Sequence, residues 1–308
     1  MNEFDLLVIG DCNPDLVLSG EDVEPAFGQV ERVIDEARLE IGGSATLTAC
    51  AATRLGLRTA LVSVVGEDLF GRFMLDALAE RGVETRWCVL DPRTPTGLTV
   101  ILTRPDGDRA ILTAPGTLAT VGAEHVPAEA LRAARHVHVG GYFLLPRIQA
   151  GLAEIFQVAR AAGASSSLDT GWDPTERWGG ELAAVLAQTD WFFPNAQEAR
   201  LIAGESDLED ATKKLAGGGG GVVAKLGAEG ALARRGDERA RAQAPRVDVV
   251  DTVGAGDCFA AGFLAGQLAG MELDRALKLA CACGALSTRF AGGTAGQPTV
   301  TEALQAIA

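Results

Sequence analysis

The run Val250-Asp-Thr-Val-Gly-Ala-Gly-Asp257, followed by Cys258-Phe-Ala-Ala-Gly-Phe-Leu264, combines a strand end, a glycine turn and the first turn of an apolar helix. Glycines at 254 and 256 let the backbone approach an anion, and a helix start adds free N–H groups and a positive dipole end. Two readings of Asp257 are open. As a helix cap it would only satisfy amides that the helix leaves unpaired. Alternatively, the N–H groups of Gly254, Ala255, Gly256 and Asp257 cradle a phosphoryl group in transfer, and Asp257 takes the proton from the attacking hydroxyl.

Other segments have the residue types of a ligand site. Gly10-Asp-Cys-Asn13-Pro-Asp15 closes the first apolar run, where open α/β sheets place their ligands. A carboxylate there suits adjacent hydroxyls because it accepts two hydrogen bonds, although Asn-Pro and Asp also form turns. Gly42-Gly43-Ser44-Ala45 precedes a helical stretch, and its glycines permit close approach of a substrate. Asn195-Ala-Gln-Glu198 follows a short apolar run and has the spacing of a helix cap whose fourth residue bonds back.

Taken together and in this order, Gly42–Ala45, Asn195–Glu198 and Asp251–Asp257 resemble the signatures of the ribokinase-like (PfkB) family of carbohydrate kinases, over nearly the whole chain. The resemblance implies an α/β ribokinase-like three-layer sandwich: a mostly parallel central sheet, helices on both faces, and a small β-sheet lid. It implies ATP-dependent phosphoryl transfer to a hydroxyl of a sugar or sugar derivative, with Asp257 as base and Gly254, Ala255, Gly256 and Asp257 as anion hole. Asp15 and the adjacent Asn13 would bind sugar hydroxyls, with Gly42, Gly43 and Asp169 also near the substrate, although Asp169 equally reads as a turn cap; Arg109, on the hairpin, either reaches a substrate hydroxyl or phosphate or is an exposed strand arginine. Asn195 and Glu198 would organise Mg²⁺, largely through water. Lys225, Gly227 and Gly230 would line the nucleotide's phosphate side, and the segment around Cys283 and 292–294 its adenine side. A monovalent cation such as K⁺, held by carbonyls of loop 287–294, and a homodimer formed through the lid are further implications. The chain departs from the family at Leu47, where an Asn normally meets the sugar; Leu offers no hydrogen bond, so an unusual or partly apolar substrate is one reading and a packed core residue the other. A nucleoside kinase of the same fold and a catalytically silent sensor are the alternatives.

Competing nucleotide chemistries fit less well. There is no Gly-x-x-x-x-Gly-Lys-Ser/Thr loop, and the third Rossmann glycine is replaced by Phe259. The formal charge of −14 speaks against nucleic acid and anionic membranes, while leaving room for phosphate bound by local amides and Mg²⁺. Six cysteines without a Cys-x-x-Cys pair, and only three histidines, read as buried thiols in a reducing compartment and not as a zinc site. The start has no basic residues, and its apolar run 6–9 is too short for a signal peptide, so a cytoplasmic location is expected.

To position these residues, apolar runs at 6–10, 59–65, 136–140, 165–169, 191–194 and 221–226 read as buried strands. Helical patterns at 45–55, 71–81, 148–162, 180–188, 196–203 and 208–215 alternate with them, as βαβ units require. The last third reads as helices at 256–268, 273–289 and 301–307. Segments 14–40 and 94–115 interrupt the alternation. The second contains a hairpin around Pro105-Asp-Gly107 that carries Arg109, and both are assigned to the lid of a single domain spanning 1–308.

Overall fold

A computed structural model of the chain describes residues 2–105 and 107–307, so the hairpin-turn residue Asp106 lies outside the described residues. The first half runs β1 (Phe4–Gly10), β2 (Pro14–Ser19), β3 (Glu36–Ile41), α1 (Ser44–Arg54), β4 (Thr59–Gly66), α2 (Leu69–Glu80), β5 (Glu84–Asp91), β6 (Leu98–Thr103), β7 (Arg109–Ala114), α3 (Ala128–Ala133) and β8 (Ala134–Gly140). The second half runs α4 (Pro146–Ala161), β9 (Ser165–Leu168), α5 (Leu182–Leu186), β10 (Trp191–Phe192), α6 (Ala196–Ala203), α7 (Leu208–Ala216), β11 (Gly221–Lys225), β12 (Ala231–Arg235), β13 (Glu238–Ala242), α8 (Ala255–Leu268), α9 (Leu273–Ser287) and α10 (Val300–Gln305).

The large sheet has the order β13-β12-β11-β10-β9-β8-β1-β4-β5. Pairings from β11 across to β5 are parallel, while β11–β12 and β12–β13 are antiparallel. Its central strands are apolar on both faces because each face is covered by helices: β4 is buried at every residue, and separate apolar cores lie on the two sides. Three strands of this sheet were not read as apolar runs: β5 is a half-exposed edge, β12 is a short run that ends in two arginines, and β13 buries only Ala240 and Ala242 between exposed charged residues.

Strand order reverses between β1 and β8, and the crevice above such a reversal is where ligands bind. Gly10 and Gly140 are paired there. A Cβ on Gly10 would lie 2.5 Å from the Gly140 carbonyl oxygen and 2.6 Å from the Ala45 Cβ. Only glycines let α1 bring its N-terminus down onto the sheet at that point. α8 is buried along most of its length and packs closely on α9, because Gly262 and Gly266 face Cys283 and Ala276.

A four-stranded sheet, β3-β2-β6-β7, stands apart from the large one. Its strands come from the two segments that break the alternation. Arg109 opens β7 opposite Thr103, at the far tip of the β6–β7 hairpin. No helix among the described residues is long and apolar enough to cross a membrane.

Candidate active site

Asp257 is not the cap of α8. Gly254 occupies that position in a left-handed conformation (φ 71°), and no side chain caps the helix. The positive φ explains the glycine, since a Cβ there would be strained and would press on Gly293 and Leu47. The N–H of Ala255 bonds to the Thr252 carbonyl at 3.3 Å. Those of Gly254, Gly256 and Asp257 have no acceptor among the described residues, which leaves three amides at the helix's positive end.

The Asp257 carboxylate instead reaches across the cleft: Ser44 Oγ donates to its Oδ1 at 2.5 Å. Burial pushes this carboxyl up to about 7, helped by Asp169 and Asp11 and opposed by the Ser44 hydrogen bond and Lys225. Ser44 is held by Asp11, whose two oxygens accept the N–H groups of Ser44 (2.9 Å) and Ala45 (2.7 Å). Asp11 therefore caps α1 from 33 residues away. Both lie inside motifs marked in the sequence, Gly10–Asp15 and Gly42–Ala45, but the motifs assign neither of them a role.

Asp15 and Asn13 lie together at the start of β2, at the base of the small sheet. Asn13 Nδ2 donates to Thr99 Oγ1 (3.1 Å) on β6 and to the Pro14 carbonyl (3.2 Å). Asp15 is 7% exposed, and a Cβ on Gly42 would collide with its carboxyl. Gly42 is thus required by the acid above it. Burial pushes Asp15 up to about 7, with Asp11 and Glu40 adding to the effect and Thr99 opposing it.

On the other side of the cleft, Lys225 Nζ donates to Asp169 Oδ2 at 2.5 Å. Burial opposes the charge on Lys225, yet Asp169, Glu198 and Asp257 outweigh it and hold the ammonium above the usual lysine range. Asn195 and Glu198 cap α6 reciprocally: Asn195 Oδ1 accepts the Glu198 N–H (2.9 Å), and Glu198 Oε2 accepts the Asn195 N–H (2.8 Å). Burial raises the Glu198 carboxyl, with Lys225 pulling it down and Asp169 pushing it up.

Beside the amides opens a mostly apolar cavity of about 530 Å³, lined in part by Lys225, Gly227, Gly230, Val247, Gly256, Phe259, Cys281, Gly284 and Ala285. Cys283 is not on this wall. It faces Gly262 inside the α8–α9 contact, because residues two apart on a helix point about 200° apart, and Cys281 takes the wall position instead. The 292–294 segment also lies off the wall. Arg109 does not present a free guanidinium to the cleft: it bonds to Asp251 Oδ1 (3.0 Å) and to Thr252 Oγ1. Leu47 is 3% exposed and packs against Gly254 and Gly293, as the core reading of that position expects.

The two raised carboxyls give a stability prediction. In the folded chain Asp15 and Asp257 keep protons that an unfolded carboxyl releases near pH 4. The folded state is then the better proton binder between about pH 4 and 7, so stability falls as pH rises through that window. His136 and His138, pushed down to about 3 by burial, favour the unfolded chain below about pH 6.5 and oppose this trend there. The check is therefore a difference: the melting temperature of the ligand-free wild type should fall more, or rise less, between pH 5.5 and pH 8 than that of Asp15→Asn, and equal pH dependence would contradict the Asp15 assignment.

Comparison with known proteins gives a consistent result. A family profile described as pfkB family carbohydrate kinase matches residues 3–300. A 2-dehydro-3-deoxygluconokinase of Bacillus subtilis is 34% identical over 277 residues, covering 84% of both chains. An ATP-dependent ribose-1-phosphate kinase of Halopiger xanaduensis is 32% identical over 288 residues, covering 92% of this chain and 91% of its own. Among solved structures, an E. coli protein described as a ribokinase II, in complex with ATP and Mg²⁺, superposes with a TM-score of 0.85 at 25% identity over 98% of each chain.

Proposed function

The chain belongs to the pfkB family of carbohydrate kinases and is an ATP-dependent kinase of sugars or sugar derivatives; from that premise we propose that Asp257 is its general base. The acceptor's hydroxyl, a primary one, gives its proton to Asp257 Oδ2 while its oxygen attacks the γ-phosphorus in line and ADP leaves. Ser44 holds Oδ1 and so fixes the carboxylate's direction. The amides of Gly254, Gly256 and Asp257 stabilise charge on the transferred group. The observation carrying this reading is the coincidence of three uncommitted amides and a carboxyl near pKa 7 in one helical turn. A base with that value is half deprotonated at neutral pH and still accepts a proton readily.

The apolar cavity beside the amides suits an adenine ring, with Gly227 and Gly230 giving the phosphates close backbone approach. For Mg²⁺ the donors fit: Glu198 has one oxygen outside the capping box, Asn195 is adjacent, and hard oxygens with retained water are what this ion prefers. Mg²⁺ supplies charge neutralisation on the phosphate oxygens when bound. A homodimer through the lid is supported by Ile111 and Leu112, 62% and 61% exposed on β7.

The test is ADP release from Mg-ATP against pentoses, hexoses, acid sugars, sugar phosphates and nucleosides. Acceptor-dependent release, abolished by chelating Mg²⁺, is expected. ATP binding with no release from any acceptor would make the chain a silent sensor.

A further inference from the structure

We propose that the donor cavity admits 6-oxopurine nucleotides, inosine and guanosine triphosphates, as well as ATP, and that Arg246 on its wall selects for them. This rests on the reading of the apolar cavity as the seat of the nucleotide base, and goes beyond it by naming the bases that fit.

The chemistry of the cavity wall carries the inference. The common purines differ most at position 6. Adenine carries an amino group there, a donor beside the N7 acceptor. Hypoxanthine and guanine carry a carbonyl oxygen, so O6 and N7 form two adjacent acceptors. A pocket that selects adenine through side chains needs an acceptor for the amino group. Among the described residues no Asp, Glu, Asn or Gln lines this cavity. Its polar side chains other than Arg246 are already engaged: Lys225 with Asp169, Thr252 with Arg109, Thr288 with the Ala285 carbonyl, and Cys281 with the Ala242 carbonyl.

Arg246 differs from all of these. It lies on the wall, is exposed, and has no hydrogen-bond or ion-pair partner among the described residues. A guanidinium only donates, through a planar fork of N–H groups. That fork matches O6 and N7 of a 6-oxopurine, whereas it sets donor against donor at the adenine amino group. The remaining polar contacts to the base fall to the main chain. Residues 243–249 make no backbone–backbone hydrogen bond, so their N–H and C=O groups are open. A free peptide offers a donor and an acceptor alike, and so serves positions 1 and 6 of either kind of purine. Shape separates adenine from hypoxanthine only weakly, since an amino group and a carbonyl oxygen differ little in size. Selectivity is left to the one side chain with a fixed hydrogen-bonding sense.

A forked arginine contact to O6 and N7 discriminates by about five- to a hundredfold. Water competes at an exposed arginine, so about tenfold is expected here. The experiment is isothermal titration calorimetry of the full chain with ATP, ITP and GTP in excess Mg²⁺, with no acceptor present. ITP isolates the contact, because its base differs from that of ATP only at position 6 and in the N1 proton that goes with it. ITP and GTP should bind at least as tightly as ATP. Arg246→Ala should weaken ITP and GTP by about tenfold and leave ATP within about threefold. In Arg246→Gln the amide can donate to N7 and accept from the amino group, so ATP should now lead ITP by about tenfold. Wild-type protein that binds ATP more than about tenfold tighter than ITP overturns the proposal and leaves the kinase reading intact. So does equal weakening of all three nucleotides by Arg246→Ala, which would place Arg246 on the phosphates or flat against the ring. Binding of none of the three overturns the nucleotide reading of the cavity, and this proposal with it.

Discussion

Replacing Asp257 by Asn is expected to lower kcat by roughly a thousandfold while leaving the KM for Mg-ATP within about threefold. Asn is isosteric and still accepts the Ser44 hydroxyl at Oδ1, so the first turn of α8 and its three open amides keep their shape. Only proton acceptance is lost. The wild-type rate should rise with pH through about 7 and then level, because the base works when deprotonated and burial holds its carboxyl near that value. That acid limb should vanish in the variant. Ser44 supplies a sharper check. Its hydrogen bond favours the charged carboxylate, so Ser44→Ala should move the limb to higher pH. Turnover of the Asn variant within about tenfold of wild type, or a limb that stays put in Ser44→Ala, would remove Asp257 from the role of base.

The parts of this site that could be read from the chain are those whose constraints are local. Gly254 and Gly256 stand out because a positive φ and a close anion approach exclude side chains, and that requirement is written within seven residues. Asn195 and Glu198 likewise form their box three residues apart. The central strands were legible because burial on both faces leaves continuous apolar runs, whereas β5 and β13 are edge strands with mixed patterns. The contacts that orient the chemistry are not local. Asp11 to Ala45 spans 34 positions, Lys225 to Asp169 spans 56, and Ser44 to Asp257 spans 213. An acid, a serine or a lysine at a strand end or helix start carries no mark of a partner that far away. Cys283 failed for a different reason. A one-residue choice on a helix that is apolar nearly all round turns the side chain from cavity to core, and composition cannot decide between them.

Arg109 is the longest of these connections that links the lid to the anion loop, and its removal is the second large effect expected. Arg109 stands at the tip of the β6–β7 hairpin, 142 positions before Asp251, and bridges the cleft to Asp251 and Thr252. Asp251 uses the same carboxylate to accept the N–H groups of Val253 and Gly292, each at 2.9 Å, and so shapes the turn that presents Gly254 and Gly256. Under the proposed kinase reading, closing the lid and setting the anion loop would thus share one carboxylate. The pair is partly buried, with the two side chains 23% and 18% exposed, so it is less screened than a surface pair. Hydrogen bonds of this charged kind contribute about 1.5–3 kcal/mol, which corresponds to a ten- to hundredfold change in the ratio of closed to open lid. Arg109→Ala should therefore reduce kcat by about tenfold or more. It should also raise the share of ATP lost to water relative to transfer, because an open lid admits solvent to the phosphoryl group. Arg109→Lys should fall between, as an ammonium keeps the charge but not the fork that reaches both Asp251 and Thr252. The decisive readout is the split between kcat and acceptor KM. A raised acceptor KM at unchanged kcat would mean that Arg109 meets the acceptor itself, and that the bond to Asp251 does not govern closure.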